Sequence, residues 1–359
     1  MNLTWESYLH SRNAVIQDGR VVNYGNTATE LESMRSGTVL ADLSHFGLIH
    51  FLGDDAQSFL QGQVSCDVRA INSSADGATA LYGSYCNPKG RMLASFLMWH
   101  DSGGYVMQLP AELRAAIEKR LSMYVLRAKL KLADSSDTLV RLGLAGNHAA
   151  ELLGKILGTV PRFPLDVIHV RQGSAICLER DRFELVMAPE AAPAMWERLS
   201  MEARPVGAPC WDWLGIKAGI PVITAATQEQ FVPQMVNLEA IGGVSFQKGC
   251  YPGQEIVARA QYLGKIKRRM FLANIRPPPG SSAIPPAPVA SITAGDELFS
   301  TDLGEQSSGM VVNAAPAPGG GFDVLAVIQT SSIEAGKIYW KSLDGPPLGI
   351  MPLPYLVNN

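Results

Sequence analysis

Long hydrophobic runs are missing from this chain. No apolar stretch reaches the roughly 18 residues that a membrane-spanning helix needs. The first residues, MNLTWESYLHSRNAV, also lack the apolar run of a signal peptide. A cytoplasmic protein without a membrane partner is therefore expected. Its 359 residues, with 47% hydrophobic and 18% charged side chains, are enough for two or three domains with cores of their own.

Cysteine, histidine and positive charge are also in short supply. Five cysteines lie far apart, and neither a Cys-x-x-Cys pair nor a His-Glu-x-x-His motif occurs. A disulfide framework, a zinc site and an iron–sulfur cluster held by this chain alone are therefore not expected, and no metal site is predicted. The net charge is −3, which disfavours direct nucleic-acid binding and leaves room only for a local basic patch.

The hydrophobic patterns that are present predict an α+β fold. Two successive stretches each show roughly the order β-α-β-β-α-β, which is the ferredoxin-like pattern. The first contains a strand at Gly47–Leu52, a hairpin of Ala78–Cys86 with Arg91–Trp99, and a helix that starts at Pro110. The second begins with a strand at Leu139–Leu144. We therefore expect two ferredoxin-like α/β units in succession.

The last quarter of the chain has a different character. Arg276–Pro288 is rich in proline, which indicates a linker or a long loop in extended geometry. Short apolar runs separated by glycine and proline follow, as is typical of a small β-barrel or sandwich. The predicted domains are residues 1–135 and 136–264 for the two α/β units and residues 265–359 for a C-terminal β-barrel.

A lone cysteine lies in the stretch QKGCYPGQE, residues 247–255, just before a helix that is predicted to start at Pro252. Unpaired N–H groups and the dipole of the helix N-terminus would favour a thiolate at Cys250. Lys248 would add positive charge, whereas Glu255 would work against the thiolate. A lone cysteine is more often a buried apolar residue than a nucleophile, so both interpretations stay open on these residues alone.

The segment KGCYPGQE closely resembles the signature K-G-C-[YF]-x-G-Q-E of the YgfZ family of folate-binding proteins, relatives of the glycine-cleavage T-protein, an aminomethyltransferase. DLSHFGLIHFLG, CNPKGRM and PLPY extend the likeness over nearly the whole chain. The resemblance implies a T-protein-like folate-binding fold, tetrahydrofolate as the ligand, and support of iron–sulfur client proteins, including enzymes that modify tRNA. Cys250 would be the functional thiol, in a loop shaped by Lys248, Gly249, Tyr251, Gly253, Gln254 and Glu255.

The same resemblance suggests which residues contact the folate. Flat rings need an aromatic wall and a few polar anchors. Phe46 and Trp211 align with aromatic positions of the family, and Trp213 is the next candidate if the register slips. Glu184 lies near the place where the T-protein holds pterin with a glutamate, although the surrounding glycines and tyrosine are absent. Without the resemblance, aromatic residues such as Phe46 and Trp211 are more often part of a core, and a glutamate such as Glu184 more often faces water from a strand.

One departure from the T-protein concerns its chemistry. The T-protein has an Asp-Asp pair shortly after an N-x-x-G-x turn, and a carboxylate there assists one-carbon transfer. In this chain the turn is Asn87-Pro-Lys-Gly-Arg91, and Ala94 and Ser95 occupy the matching positions. Neither can act as a charged acid or base. An accessory protein is therefore predicted rather than an enzyme, and a folate-dependent one-carbon transferase is the first alternative.

A second alternative rests on the basic segment GKIKRR, residues 264–269. Its four positive charges could meet a folate polyglutamate tail, RNA phosphates or an acidic partner, which would make the chain a tRNA-binding module. A solvated strand edge explains the same charges, because lysine at an edge also discourages aggregation.

Overall fold

Strands outnumber helices in this chain, and the helices are short. The computed structural model describes residues 1–71, 73–74, 77–171, 173–262, 266–276 and 291–357. In these ranges the helices, numbered along the chain, are α1 Leu3–Ser11, α2 Thr27–Ser33, α3 Ala56–Gln61, α4 Ala111–Ser122, α5 Ala149–Leu157, α6 Ala192–Ser200, α7 Ala208–Lys217, α8 Gln254–Tyr262 and α9 Thr330–Ala335. None of these helices combines the length and the hydrophobicity that crossing a bilayer requires.

The strands are numbered in the same way. They are β1 Val15–Gln17, β2 Arg20–Asn23, β3 Val39–Asp42, β4 Phe46–Leu52, β5 Ser73–Ser74, β6 Gly77–Thr79, β7 Leu81–Cys86, β8 Met92–His100, β9 Tyr105–Pro110, β10 Lys131–Asp134, β11 Val140–Ala145, β12 Asp166–Val170, β13 Gly173–Glu179, β14 Arg182–Met187, β15 Arg204–Val206, β16 Arg268–Ile275, β17 Glu297–Ser300, β18 Ser307–Pro316, β19 Phe322–Gln329, β20 Ile338–Trp340 and β21 Gly349–Met351.

Most of the strands belong to three large sheets. A five-stranded sheet has the order β10-β4-β9-β8-β7, and an eight-stranded sheet has the order β15-β3-β11-β14-β13-β12-β6-β5. The eight-stranded sheet is antiparallel except for the pairing of β15 with β3. Strand β3 and the β5–β6 pair thus join β11–β15, rather than β4 and β7, which belong to the five-stranded sheet. The predicted strand Ala78–Cys86 is wrong as a single element, because its residues divide between β6 and β7 in different sheets.

The C-terminal strands form an antiparallel six-stranded sheet of order β20-β17-β18-β19-β16-β21, which curls into a half-barrel. Successive side chains of a strand point to opposite faces. In β16, Met270 and Leu272 accordingly pack in one apolar cluster, whereas Ala273 and Ile275 pack in another. The prediction of an α+β fold with a C-terminal β-structure is confirmed.

Two predicted helix starts are wrong, and proline is involved in both. Pro110 is the last residue of β9 and the extended N-cap of α4, so the helix itself begins at Ala111. Pro252 lies in a turn, and α8 begins only at Gln254, because Gly253 adopts a left-handed φ of 82° that a helix cannot contain. The proline-rich segment lies, from residue 277 onward, outside the described residues.

The chain divides into two compact units, each built from two separate segments. The first comprises Met1–Tyr82 and Phe96–Trp211, and the second comprises Gly83–Ser95 and Asp212–Asn359. The sequence predicted three consecutive domains instead, and that finer division stays a prediction. The candidate folate residues fall in the first unit, whereas the cysteine motif falls in the second.

Candidate functional site

A glutamate lies at the centre of the first unit's large sheet. Glu184 of β14 is opposite Gly143 of β11 and Ile176 of β13, and its side chain is only 1% exposed. The alternative in which this glutamate faces water is therefore wrong. Gln108 of β9 donates from Nε2 to Glu184 Oε2 at 3.0 Å, while Glu184 Oε1 has no hydrogen-bond partner among the described residues.

Two buried arginines accompany this glutamate. Arg141 of β11 donates from Nη2 to the Phe46 carbonyl oxygen at 2.7 Å, and Arg182 of β14 lies 4.0 Å from Glu179 in a long ion pair. Both arginines have buried Nε and Nη1 atoms without a hydrogen-bond partner in the described part of the chain. Such groups each cost about 1–3 kcal/mol, and native proteins keep few of them. The cluster therefore holds unused donors beside an unused acceptor.

Burial shifts the protonation of this cluster towards neutral forms. Burial raises the pKa of Glu184 to about 7, although the hydrogen bond from Gln108 and the charges of Arg141 and Arg182 lower it in part. Burial also lowers the pKa of Arg141, against the attraction of Glu184 and nearby aspartates. A carboxyl that titrates near neutrality can accept or donate a hydrogen bond according to its protonation state, and perturbed groups of this kind concentrate at functional sites.

An indole ring lies next to the cluster. The guanidinium carbon of Arg182 is 4.9 Å from the centroid of the Trp211 ring. A Cβ atom at Gly143 would come within 2.5 Å of Trp211 Cζ3, so the absence of a side chain on β11 makes room for the indole. Phe46 is half-buried at the start of β4 and reaches the cluster through its carbonyl oxygen. Trp213 instead donates to Asp323 in the second unit.

The structure thus brings the three predicted folate residues, Phe46, Trp211 and Glu184, to one polar cluster. The sequence reasoning missed Arg141, Arg182 and Gln108, which complete it. A signal for Arg141 was present, because it is a charged residue at a strand position among apolar neighbours, in VRLGLA, whereas Arg182 directly follows the charged residues Arg180 and Asp181. Buried arginines are rare unless they are paired, so such positions suggest a functional cluster.

The second unit carries the cysteine motif, and its thiol is exposed. Cys250 is the exposed member of the five cysteines, since the other four side chains are buried. The alternative in which Cys250 is a buried apolar residue is therefore wrong. Lys248 places its Nζ 5.0 Å from the ring centroid of Tyr251, and Glu255 is exposed in the first turn of α8. Gln254 Oε1 accepts from the Tyr251 backbone N–H at 3.3 Å.

The thiol loop packs directly against the predicted Asn87–Arg91 turn. A Cβ atom at Gly253 would lie 2.5 Å from the Asn87 carbonyl oxygen and 2.7 Å from Gly90 Cα. The side chain of Asn87 holds the turn, because its Oδ1 accepts from the backbone N–H groups of Lys89 and Arg91 at 2.9 and 3.0 Å. The two turns therefore meet backbone to backbone, at a distance that only glycine permits.

The residues in place of the T-protein carboxylates have a structural role. Ser95 is buried, and its Oγ donates to the Pro221 carbonyl oxygen at 3.0 Å and accepts from the Ile223 N–H at 2.9 Å. Ala94 is fully buried and has no polar side-chain group. Both hydrogen-bonding functions of the serine hydroxyl are thus engaged with backbone groups.

The basic segment 264–269 does not present all of its charges to solvent. Arg269 is buried, forms an ion pair with Glu239 and donates to the Gln234 carbonyl oxygen at 2.7 Å. Lys267 and Arg268 are exposed, and Lys265 lies outside the described residues. Among the residues that the structure describes, no three His, Cys, Asp or Glu side chains are grouped as a metal site.

Comparisons with known proteins identify the family and the fold of this chain. The family described as "GCVT N-terminal domain" matches residues 19–248. A "tRNA-modifying protein YgfZ" of Sodalis glossinidius is 30% identical over 91% of this chain and 96% of its own. A protein of the same name from Colwellia psychrerythraea is 35% identical over 66% of this chain and 72% of its own. The crystal structure of aminomethyltransferase T from Bartonella henselae superimposes with a TM-score of 0.75 at 18% identity, covering 99% of this chain and 97% of its own. This likeness shows the fold.

Proposed function

Because the chain belongs to the GCVT N-terminal domain family and, within it, to the YgfZ proteins, we propose that it binds tetrahydrofolate and supports iron–sulfur proteins. Its clients would include enzymes that modify tRNA. The observation that carries the folate part is the buried cluster of Glu184, Arg141 and Arg182 beside Trp211, with donors and an acceptor that lack partners in the described chain.

The residues present fit a folate. A pterin has N–H donors and ring acceptors on one edge and flat apolar faces, so it suits a site with a carboxylate, guanidinium groups and an indole. Glu184, Arg141 and Arg182 would hold the polar edge, and Trp211 and Phe46 would contribute the aromatic wall. Tetrahydrofolate supplies a carrier for one-carbon units when it is bound.

We favour an accessory role over one-carbon transfer. Ser95 stands in place of a carboxylate, and its hydroxyl already bonds to the backbone on both sides. An aminomethyl transfer would need an ionisable acid or base near the reacting carbon, and this position does not provide one. The tRNA-binding alternative through residues 264–269 has lost the support of Arg269, which is buried in an ion pair.

The functional thiol is Cys250 in this proposal. Three observations support this role: the thiol is exposed, it lies in a motif that matches the family signature, and its loop packs closely against the Asn87–Arg91 turn at Gly253. An exposed thiol on a fixed loop can reach the iron or sulfur of a client protein. Lys248 and Glu255 lie on the same loop and set the charges around it.

A tetrahydrofolate titration followed by tryptophan fluorescence tests the folate part. The wild type should show a saturable change, and Trp211→Ala should weaken binding about tenfold or more, because one aromatic contact is worth about 1–2 kcal/mol with its buried area. Trp213→Phe is the matched control and should bind as the wild type does. Equal affinity of wild type and Trp211→Ala would refute the assignment of the cluster.

Complementation tests the thiol. In a strain that lacks this protein, Cys250→Ala should leave iron–sulfur enzyme activity at the level of an empty vector, because no other cysteine of the chain is exposed. Cys66→Ala, which removes a buried thiol, should restore the activity. The purified Cys250→Ala protein should still bind tetrahydrofolate, which separates loss of the thiol from loss of folding. Full restoration by Cys250→Ala would contradict the role.

A further inference from the structure

Five cations lie within 13 consecutive residues of the first unit, between the last turn of α4 and the start of β10. We call residues 119–131 the α4–β10 surface; its cations are Lys119, Arg120, Arg127, Lys129 and Lys131. Four of them are exposed and Arg120 is partly exposed. Within the described ranges, none of the five is in ion-pair contact with a carboxylate, and residues 119–131 contain no acidic side chain.

Two acidic groups that flank this surface are engaged in ion pairs, and a third accepts a backbone hydrogen bond. Glu118 and Asp134 both pair with Arg114. Asp55 accepts a hydrogen bond from the backbone N–H of Lys129 at 2.7 Å. The positive charge of the α4–β10 surface is therefore concentrated on a molecule whose overall net charge is −3, and a polyanion would be attracted to this place rather than to the surface in general.

Apolar side chains stand among the cations. Leu126 is 88% exposed, Tyr124 is 48% exposed, and Met123 is exposed as well. Leu126 also has a positive φ of 44°, a backbone conformation that bulky residues seldom adopt. Strained backbone that presents an apolar side chain to water is typical of functional surfaces.

We propose that the α4–β10 surface binds single-stranded RNA. The phosphates of RNA form electrostatic contacts with lysine and arginine side chains, and an exposed tyrosine ring offers a face on which an unpaired base stacks. A protein partner fits less well, because lysine is depleted at the centre of protein interfaces, and three of the five cations here are lysines. This proposal goes beyond the folate and thiol roles. The net charge of −3 predicted no direct nucleic-acid binding, but positive charge is concentrated at this one surface.

Fluorescence anisotropy with a labelled single-stranded RNA and the full chain tests the proposal. Log affinity should fall with log salt by about 0.7 for each phosphate contact. Replacing Arg127, Lys129 and Lys131 together by alanine should lower the affinity about tenfold or more and reduce the slope by about 2. Tyr124→Ala should weaken binding roughly 5- to 100-fold without changing the slope, and Tyr124→Phe should restore it, because a ring remains for stacking.

Matched controls decide the outcome. Lys267→Ala with Arg268→Ala removes two exposed cations elsewhere and should leave the affinity unchanged. The proposal is overturned if RNA does not bind at low salt, if the triple variant keeps the wild-type slope, or if poly-glutamate binds this surface more tightly than RNA, which would indicate an acidic protein partner. Each variant is also titrated with tetrahydrofolate, whose binding should be unchanged. Failure here thus leaves the folate proposal standing, and the reverse also holds.

Discussion

Glu184 illustrates how a single residue couples burial to pH. Its pKa is raised from an ordinary 4.5 to about 7 because the carboxyl is buried. Between these pH values the folded protein holds a proton that the unfolded chain releases. The corresponding stability is fully present below about pH 4.5 and is lost as the pH rises through 7. The protein is therefore expected to lose stability over the range in which many proteins are most stable.

Replacing this carboxyl should remove that pH dependence. For Glu184→Gln we expect the free energy of unfolding to change less between pH 5 and pH 8 than it does in the wild type, by about 2–3 kcal/mol. Urea unfolding at the two pH values measures it. Glu255→Gln, which alters an exposed carboxyl, should follow the wild type. Parallel pH curves for Glu184→Gln and the wild type would show that the buried carboxyl does not titrate in this range.

At the residue scale, the sequence predicted the folate contacts only through a family resemblance, and they stay a prediction. The resemblance pointed to Phe46, Trp211 and Glu184, and the structure places all three around one cluster. The burial of Glu184 could not be read from sequence, because every side chain of β11 and β14 is buried. Strands that are covered on both faces lose the alternation of polar and apolar residues that would identify a water-facing position. Arg141 was missed although it interrupts the otherwise apolar stretch VRLGLA, and Arg182 was missed because it follows other charged residues.

At the scale of elements, the contact between two turns holds the thiol loop. Gly253 has a left-handed φ and leaves no space for a Cβ atom against Asn87. Gly253→Ala should therefore lower the free energy of unfolding by about 2 kcal/mol, as measured by urea unfolding. Gly249→Ala is the matched control on the same loop, because nothing lies within 4 Å of a Cβ atom there. Equal losses in the two variants would show that the backbone contact is unimportant.

Element types were easier to predict than element boundaries. The strands β4, β8 and β11 lie within about one residue of their predicted positions, because apolar spacing identifies them. Pro110 and Pro252 misplaced two helix starts, since proline fits an extended N-cap or a turn as well as a first helical position. The division of Ala78–Cys86 between two sheets depends on partners far along the chain, such as Asp166 and Val167.

At the scale of the whole molecule, pairing between distant segments determines the architecture. Strands β3, β5 and β6 join β11–β15, and each compact unit is assembled from two separate stretches. A single sequence indicates strands but not their partners. The resemblance supplied the fold where local patterns could not, and the superposition on aminomethyltransferase T supports it over nearly the full length of both chains.

The hydroxyl of Ser95 also limits which side chains this position can hold. It donates to one backbone group and accepts from another, whereas an ionised aspartate only accepts and would repel the Pro221 carbonyl. An aspartate here would therefore require the neighbouring segment to rearrange before the anion could be accommodated. A neutral group that can both donate and accept is what the surrounding backbone demands at position 95.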